Sequence, residues 1–230
     1  MEQCWKTAGI LTPNRQQKYR DVLEQRLGTI HLVLDNVDDP GNRSAVFRSS
    51  DAFGLVKVYI INKRAPREAS RMVSRKAEKW LQIEGFTDVA DFLEKYPPRE
   101  GVDEFWLAQP SIHSLALDQI FKDSTPNPSD FRKNQWIVFG NEHDGLSPEW
   151  NHIGKRDFWI PLHGFVESLN ISVAAAVTLK CVTDWKRQCL GQKGDLSEQE
   201  KVSLLSHWLF QSKSLKNISD STLAAHPAFL

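Results

Sequence analysis

Two hydrophobic periodicities alternate along the chain, and their alternation predicts an α/β fold. Short runs dense in β-branched and aromatic residues read as strands: "TIHLVLDN" (29–36), "VKVYII" (56–61), "EFWLAQ" (104–109), "WIVFG" (136–140) and "FWIP" (158–161). "LQIEGF" is a shorter run of the same kind. Between them the apolar positions take helical spacing in "NRSAVFRSSDAFG", in "PREASRMVSRKAEKW", near 87–95, over 170–190 and over roughly 196–210. Strands alternating with helices favour a single α/β domain with a mainly parallel sheet flanked by helices. The domain takes in residues 1–230, with helical extensions at about 12–27 and about 196–230.

Local punctuation sharpens the boundaries. Thr12 is a candidate N-cap with Pro13 at the first helical position, and Gly28 offers a left-handed stop to that helix. Asn42 stands near the start of the next helix and Gly54 at its end. Residues 110–134 read as a looser connection, with "STPNPSD" its least ordered part. No internal repeat or low-complexity block stands out.

Composition narrows the class. With 40% hydrophobic content in 230 residues, the chain can bury one substantial core. Its 29 basic and 29 acidic residues cancel, so a polyanionic partner has to be held by local patches. The three cysteines (Cys4, Cys181, Cys189) form no C-x-x-C and suit reduced thiols in a cytoplasmic protein. No run of 18 apolar residues and no secretory h-region occurs, so an unsecreted protein that does not span a membrane is expected.

Two strand ends carry unusual loops. "WIVFGNEHDGLSPEW" leaves its strand through Gly140, Asn141 and Glu142, then Gly145, Leu146 and Ser147. "FWIPLHGFVESLN" leaves through Gly164 into Glu167, Ser168 and Asn170, with Ser172 following. Open parallel sheets bind ligands beyond the carboxyl ends of their strands, and glycines let main-chain groups approach closely. No G-x-G-x-x-G follows the first strand and no P-loop is present. The plain alternative is turn chemistry, with Ser147 capping "SPEWNHIG". One cap would also suffice before the alanine-rich helix, so the excess among Ser168, Asn170 and Ser172 points to a partner. A metal is not expected: "NEHDG" with His152 and His163 lacks any i, i+4 histidine pair.

Three stretches in this order, "NRSAVFR", "FGNEHDGLS" and "IPLHGFVESLNISVAAAV", resemble the motifs of the SpoU/TrmH family, RNA ribose 2′-O-methyltransferases of the SPOUT class. The resemblance runs from about residue 13 to 190, and the third motif is its most specific part. It implies a mainly parallel sheet whose C-terminal part is threaded into a trefoil knot, a homodimer, and S-adenosylmethionine as methyl donor without a metal. Such knots are rare, and periodicity does not reveal one.

By the resemblance, Asn42 and Arg48 match the first motif, with Arg48 acting at the hydroxyl proton. Arginine is effectively never deprotonated in proteins, so orienting phosphate and ribose with its planar fork is the easier role. A surface arginine paired with Asp51 is the plain alternative. Glu142 matches the second motif, and Ser168 and Asn170 the third, where they hold the arginine or the substrate. Donor contacts fall on Gly140, Ile160 and Leu169, mostly through main chain, and on Gln109. Gln109 departs from the small hydroxyl residue often found at its position, which puts that contact in doubt.

For RNA, residues 63–79 set seven cations against Glu68 and Glu78. Arg67, Arg71, Arg75 and Lys79 recur every four residues as a basic stripe, a solvated face or a phosphate contact. The first helix adds Arg15, Lys18, Arg20 and Arg26. "TPNRQQKYRDVLEQR" with "LDNVDDPGNRSAVFRSSDAFG" resembles the branch that methylates the D-loop guanosine-18 of tRNA. The alternatives are rRNA or another tRNA ribose as substrate, and a non-catalytic RNA-binding protein on a retained methylase fold.

Overall fold

The computed structural model describes residues 11–63, 78–122, 133–153 and 156–211. Its apolar run after Arg26 forms β1 (Leu27–Asp35), buried without interruption from Ile30 to Asp35. Before it lies α1 (Pro13–Leu23). After it come α2 (Pro40–Phe53), β2 (Leu55–Ile61), a 3-10 turn at Glu78–Trp80, β3 (Gln82–Phe86), α3 (Val89–Lys95) and β4 (Asp103–Ala108). The chain continues through β5 (Leu115–Ala116), α4 (Leu117–Lys122), β6 (Asn134–Phe139), a 3-10 turn at Pro148–His152, β7 (Arg156–Trp159), α5 (Ile171–Leu190) and α6 (Glu198–Gln211).

The strands form one sheet in the order β3-β2-β1-β6-β4-β7-β5. The pairings of β1 with β6, β2 with β3, β4 with β6 and β7, and β5 with β7 are all parallel. Parallel strands covered by helices read as continuous apolar runs, which is why these strands were legible. β5 and α4 fall in the segment read as a loose connection, because two strand residues and six helical ones are too few to show a period.

Helix α2 buries Arg43, Val46, Phe47 and Ser50 along one face and packs against α5. Asp39 caps α2 by accepting from the Asn42 N–H, and Gly54 ends it at φ 90°. Helix α5 buries Ala175, Thr178, Leu179 and Val182.

Helix α1 starts where expected, with Thr12 at the N-cap and Pro13 in the first turn, and only its stop is corrected. Thr12 occupies the N-cap position but makes no side-chain cap bond; its carbonyl accepts from Arg15 N and Gln16 N. The helix stops at Leu23, and Gly28 lies inside β1. Gln25 N and Arg26 N bond to the Val22 and Leu23 carbonyls, a tightened last turn that satisfies those groups without a left-handed residue. Of the predicted helix "PREASRMVSRKAEKW", residues 66–77 lie outside the described residues, and its last three form the 3-10 turn.

Two compact units divide the chain, residues 28–191 and residues 1–27 with 192–230. The larger contains the sheet and an aromatic core of Tyr59, Phe86, Phe92, Phe105, Trp136 and Trp150. In the smaller, Tyr19 meets Trp208 edge-on at 5.8 Å, and the Arg26 guanidinium lies 5.1 Å from the Trp208 ring centre. A Cβ on Gly194 would fall 2.6 Å from the Arg26 carbonyl oxygen and 2.7 Å from that of Glu24, so the two chain ends are laced together there.

His31 is buried in β1, stacked on Trp136 with ring centres 4.1 Å apart. Burial, with Lys57 adding to it, lowers its pKa from 6.5 to about 3. The unfolded chain therefore binds the extra proton between those values, and folding stability is lost as pH falls below 6.5. Urea unfolding between pH 7 and pH 4 should show this as a slope of up to about 1.4 kcal/mol per pH unit. His31→Phe, which keeps a ring on Trp136, should flatten it.

Candidate active site

The sheet register lines up the loops singled out in the sequence. Ala108 in β4 pairs with Phe139 of β6 on one side and Phe158 of β7 on the other. Gln109 and Gly140 are thus the first residues beyond adjacent strand ends, with Ile160 leaving the third, each strand about 4.8 Å from the next. Gln109 N donates to the carbonyls of Leu107 (3.0 Å) and Phe158 (3.1 Å), tying the β4 exit to β7.

Gly140 starts a loop folded back on itself. Asn141 and Gly145 exchange two main-chain hydrogen bonds of 2.9 Å. A Cβ on Gly140 would sit 2.3 Å from the Gly145 carbonyl carbon and 2.5 Å from Leu146 N, so no other residue fits without moving backbone. On the next loop Ile160 and Leu169 are half-buried, while Gly164, Glu167 and Ser168 are exposed.

Three motifs distant in sequence meet at one carboxamide. Asn42 Nδ2 donates to Glu142 Oε1 at 2.6 Å, and Asn170 Nδ2 donates to Asn42 Oδ1 at 2.9 Å. A carboxamide can donate to a carboxylate through its nitrogen while accepting from a second amide through its oxygen, as Asn42 does here. Asn170 is also the N-cap of α5, its Oδ1 accepting from Ser172 N at 2.9 Å and from the Ser172 hydroxyl. The excess of polar residues before that helix is thereby accounted for in part: one side chain caps, and its remaining donor reaches Asn42. Arg48 and Ser168 are exposed and make no hydrogen bond or ion pair among the described residues, so Arg48 is not held by Asp51.

Sequence reading missed a second set of residues beneath this loop. Asp35, fully buried at the end of β1, accepts from Ser147 N (2.7 Å), Ser147 Oγ (3.0 Å), Trp150 Nε1 (3.1 Å) and Asn36 Nδ2 (2.8 Å). Ser147 holds the N-cap position of the 3-10 turn, but its hydroxyl makes no cap bond, against the plain alternative of turn chemistry; a buried carboxylate needing donors claims it. Burial pushes the Asp35 pKa up, against the opposing pull of the Ser147 and Trp150 hydrogen bonds and of Lys63. Asn36, at φ 54°, accepts from Asn141 Nδ2 through its carbonyl (2.7 Å) and from Lys63 N through its side chain (3.0 Å). The available signal was a carboxylate closing an otherwise apolar strand.

Of the RNA candidates, Lys79, Arg15 and Lys18 fall among the described residues. Lys79 is half-buried with its ammonium 4.2 Å from the Trp80 ring centre. Arg67, Arg71 and Arg75 lie outside the described residues. Arg15 and Lys18 are exposed on α1, one turn apart. Among the described residues no three of His, Cys, Asp or Glu converge as metal ligands, and no helix is long and apolar enough to cross a membrane.

Comparison with known proteins agrees with this geometry. Residues 29–180 match the SpoU rRNA Methylase family, a span containing Asn42, Glu142 and Asn170. The chain is 26% identical over 205 residues to the tRNA (guanosine(18)-2′-O)-methyltransferase of Aquifex aeolicus, covering 88% of this chain and 92% of that protein. The enzyme of the same name from Thermus thermophilus is 28% identical over 168 residues, 73% of this chain and 81% of its own length. The crystal structure of the A. aeolicus TrmH/SpoU tRNA modifying enzyme superimposes with a TM-score of 0.69 at 25% identity, covering 90% of this chain and 98% of that one. With its three motifs joined through Asn42 and two thirds of its length within the match, the chain belongs to the SpoU family of RNA 2′-O-methyltransferases.

Proposed function

We propose that this protein transfers the methyl group of S-adenosylmethionine to the ribose 2′-hydroxyl of guanosine-18 in the D-loop of tRNA. The observation that carries the reading is the Asn42 junction, which joins Glu142 and Asn170 from loops at the carboxyl edge of a parallel sheet. The similarity to tRNA guanosine-18 enzymes, extending over 88% of this chain in one case, supports tRNA over rRNA.

The donor fits the residues at that edge. An adenine ring has apolar faces and a polar rim, and the half-buried Ile160 and Leu169 stand beside main-chain groups at Gly140 and Gln109. When bound, S-adenosylmethionine supplies a methyl group already activated on a sulfonium. What remains for the protein is alignment of the 2′-oxygen and removal of one proton. Arg48, exposed and with no partner among the described residues, orients an RNA phosphate and the ribose with its planar fork and stays protonated throughout, so the 2′-hydroxyl proton passes to water beside that phosphate as the methyl leaves the sulfonium. Glu142, Asn42 and Asn170 fix the relative position of the three loops, and Ser168 lies two residues before the α5 cap. The RNA is held by the basic segment 63–79, including Lys79, and by Arg15 and Lys18. In this reading the chain acts as one methyltransferase domain, extended at about 12–27 and 196–230, in the cytoplasm.

The same reading includes a C-terminal trefoil knot and a homodimer. The sheet order supports the knot, since β7, the last strand in sequence, enters between β4 and β5. Supporting the dimer, Phe165 and Val166 are exposed on the loop, and Val173 and Val177 are exposed one turn apart on α5.

Incubation with methyl-labelled donor and total tRNA, followed by nuclease mapping, should place label at guanosine-18. Label confined to rRNA or another ribose would move the substrate, and donor-independent RNA binding without label would leave an RNA-binding protein. Arg48→Ala should keep the thermal midpoint and donor affinity while lowering the methylation rate by about 100-fold or more; undiminished activity refutes its role. Val173→Glu with Val177→Glu should convert a dimer to monomer in sedimentation, and unchanged sedimentation would remove α5 from the interface.

A further inference from the structure

We propose that Asp35 is a positioning residue: together with Asn36 it holds the 140–147 loop in the form that receives the methyl donor. The inference rests on the reading of that loop as part of the donor site.

The loop behaves as a block tied down at both feet. Its interior is main chain against main chain, through the Asn141–Gly145 hydrogen bonds and the close approach at Gly140. Such a block moves as a unit, so its place on the sheet is set where it is attached. One foot is Asn141, whose Nδ2 donates to the Asn36 carbonyl at 2.7 Å. Asn141 Oδ1 meanwhile accepts from His143 N (2.7 Å) and Asp144 N (3.2 Å), stiffening the tip. The other foot is Ser147, whose N–H and hydroxyl both donate to Asp35. The last residue of β1 and the one that follows it therefore grip both ends of a loop more than 100 residues later. The loop tip carries Glu142, which accepts from Asn42, so a displaced foot would also displace the catalytic junction.

Alternative anchors are weaker. The ion pair of Lys63 with Glu149 (3.1 Å) ties down the following 3-10 turn, but both side chains are over two-fifths exposed. Trp150 Nε1 holds Asp35 from the core side, and Trp150 meets the loop through its main-chain N–H to the Ser147 carbonyl (3.1 Å), a bond that Trp150→Phe keeps. Asp35 is thus the group between core and loop, satisfied by neutral donors. That arrangement separates positioning from simple stability: loss of the Trp150 bond perturbs the core, whereas loss of the Ser147 bonds releases the loop.

The test compares wild type with Asp35→Asn, Ser147→Ala, Ser147→Thr and Trp150→Phe. Amide hydrogen exchange of peptides spanning 140–147 is followed in donor-free protein, S-adenosylmethionine affinity by calorimetry, tRNA affinity by filter binding, and thermal midpoint by scanning. Asp35→Asn and Ser147→Ala should exchange faster in 140–147 and bind the donor at least tenfold more weakly, with tRNA affinity within twofold. Ser147→Thr, which keeps hydroxyl and N–H, should restore affinity. Trp150→Phe should lower the midpoint and leave donor affinity within twofold. Exchange in 140–147 at the wild-type level in both Asp35→Asn and Ser147→Ala overturns the proposal. So does donor affinity that falls only in step with the midpoint across all variants. Should Asp35→Asn not fold, Ser147→Ala and Ser147→Thr decide alone. A wild type that binds no donor refutes the donor-site reading instead, and the exchange comparison still decides what Asp35 does.

Discussion

Parallel pairing of β6, β4 and β7 forces their carboxyl ends onto one edge, and the candidate site is hung from that edge. Had any one of these strands run the other way, its glycine or glutamine would leave the sheet on the far side. The register makes the constraint quantitative: Ala108 lies opposite Phe139 and Phe158, so Gln109 and Gly140 emerge level with each other. Helix α2, which carries Asn42 and Arg48, follows β1 off the same edge. The geometry of the candidate site is in this sense a consequence of strand direction before it is a matter of side chains.

On that edge two polar arrangements divide the work. Asn42 is a connector whose carboxamide donates to Glu142 and accepts from Asn170, and its partners are exposed. Asp35 is an anchor, wholly buried and surrounded by donors. A buried carboxylate without its hydrogen bonds would cost several kcal/mol, so the donors around it are strongly specified. An exposed connector carries no such penalty and leaves room for a ligand to compete. The floor of the site is rigid for one reason and its rim is accessible for the other.

The charge pattern bears on the partner. A chain of 29 basic and 29 acidic residues has no net field to draw RNA toward it, so attraction must arise where cations are locally unopposed. Arg15 and Lys18 on α1 meet that description by exposure. Lys79 is in part committed to the face of Trp80. Arg48, exposed and without a hydrogen bond or ion pair among the described residues, differs from all of these, since it stands on the helix that carries Asn42 rather than on a basic stripe.

Much of this was legible from the residues in order. Strands β1, β2, β4, β6 and β7 announced themselves as apolar runs, most plainly β1, β2 and β6, which are buried along nearly their whole length, and Asn42, Glu142 and Asn170 were marked by family motifs. Punctuation was less dependable: Gly28 looked like a helix stop and lies in a strand, since the last turn of α1 satisfied its own carbonyls. Ser147 looked like a cap and serves Asp35 instead. Both misreadings share a cause. Local sequence determined which segments are strand or helix, because periodicity and burial are properties of near neighbours. Which donor meets which acceptor across 100 residues or more, as in Asn42 with Glu142 or Asp35 with Ser147, was decided only by the sheet order that brought those segments together.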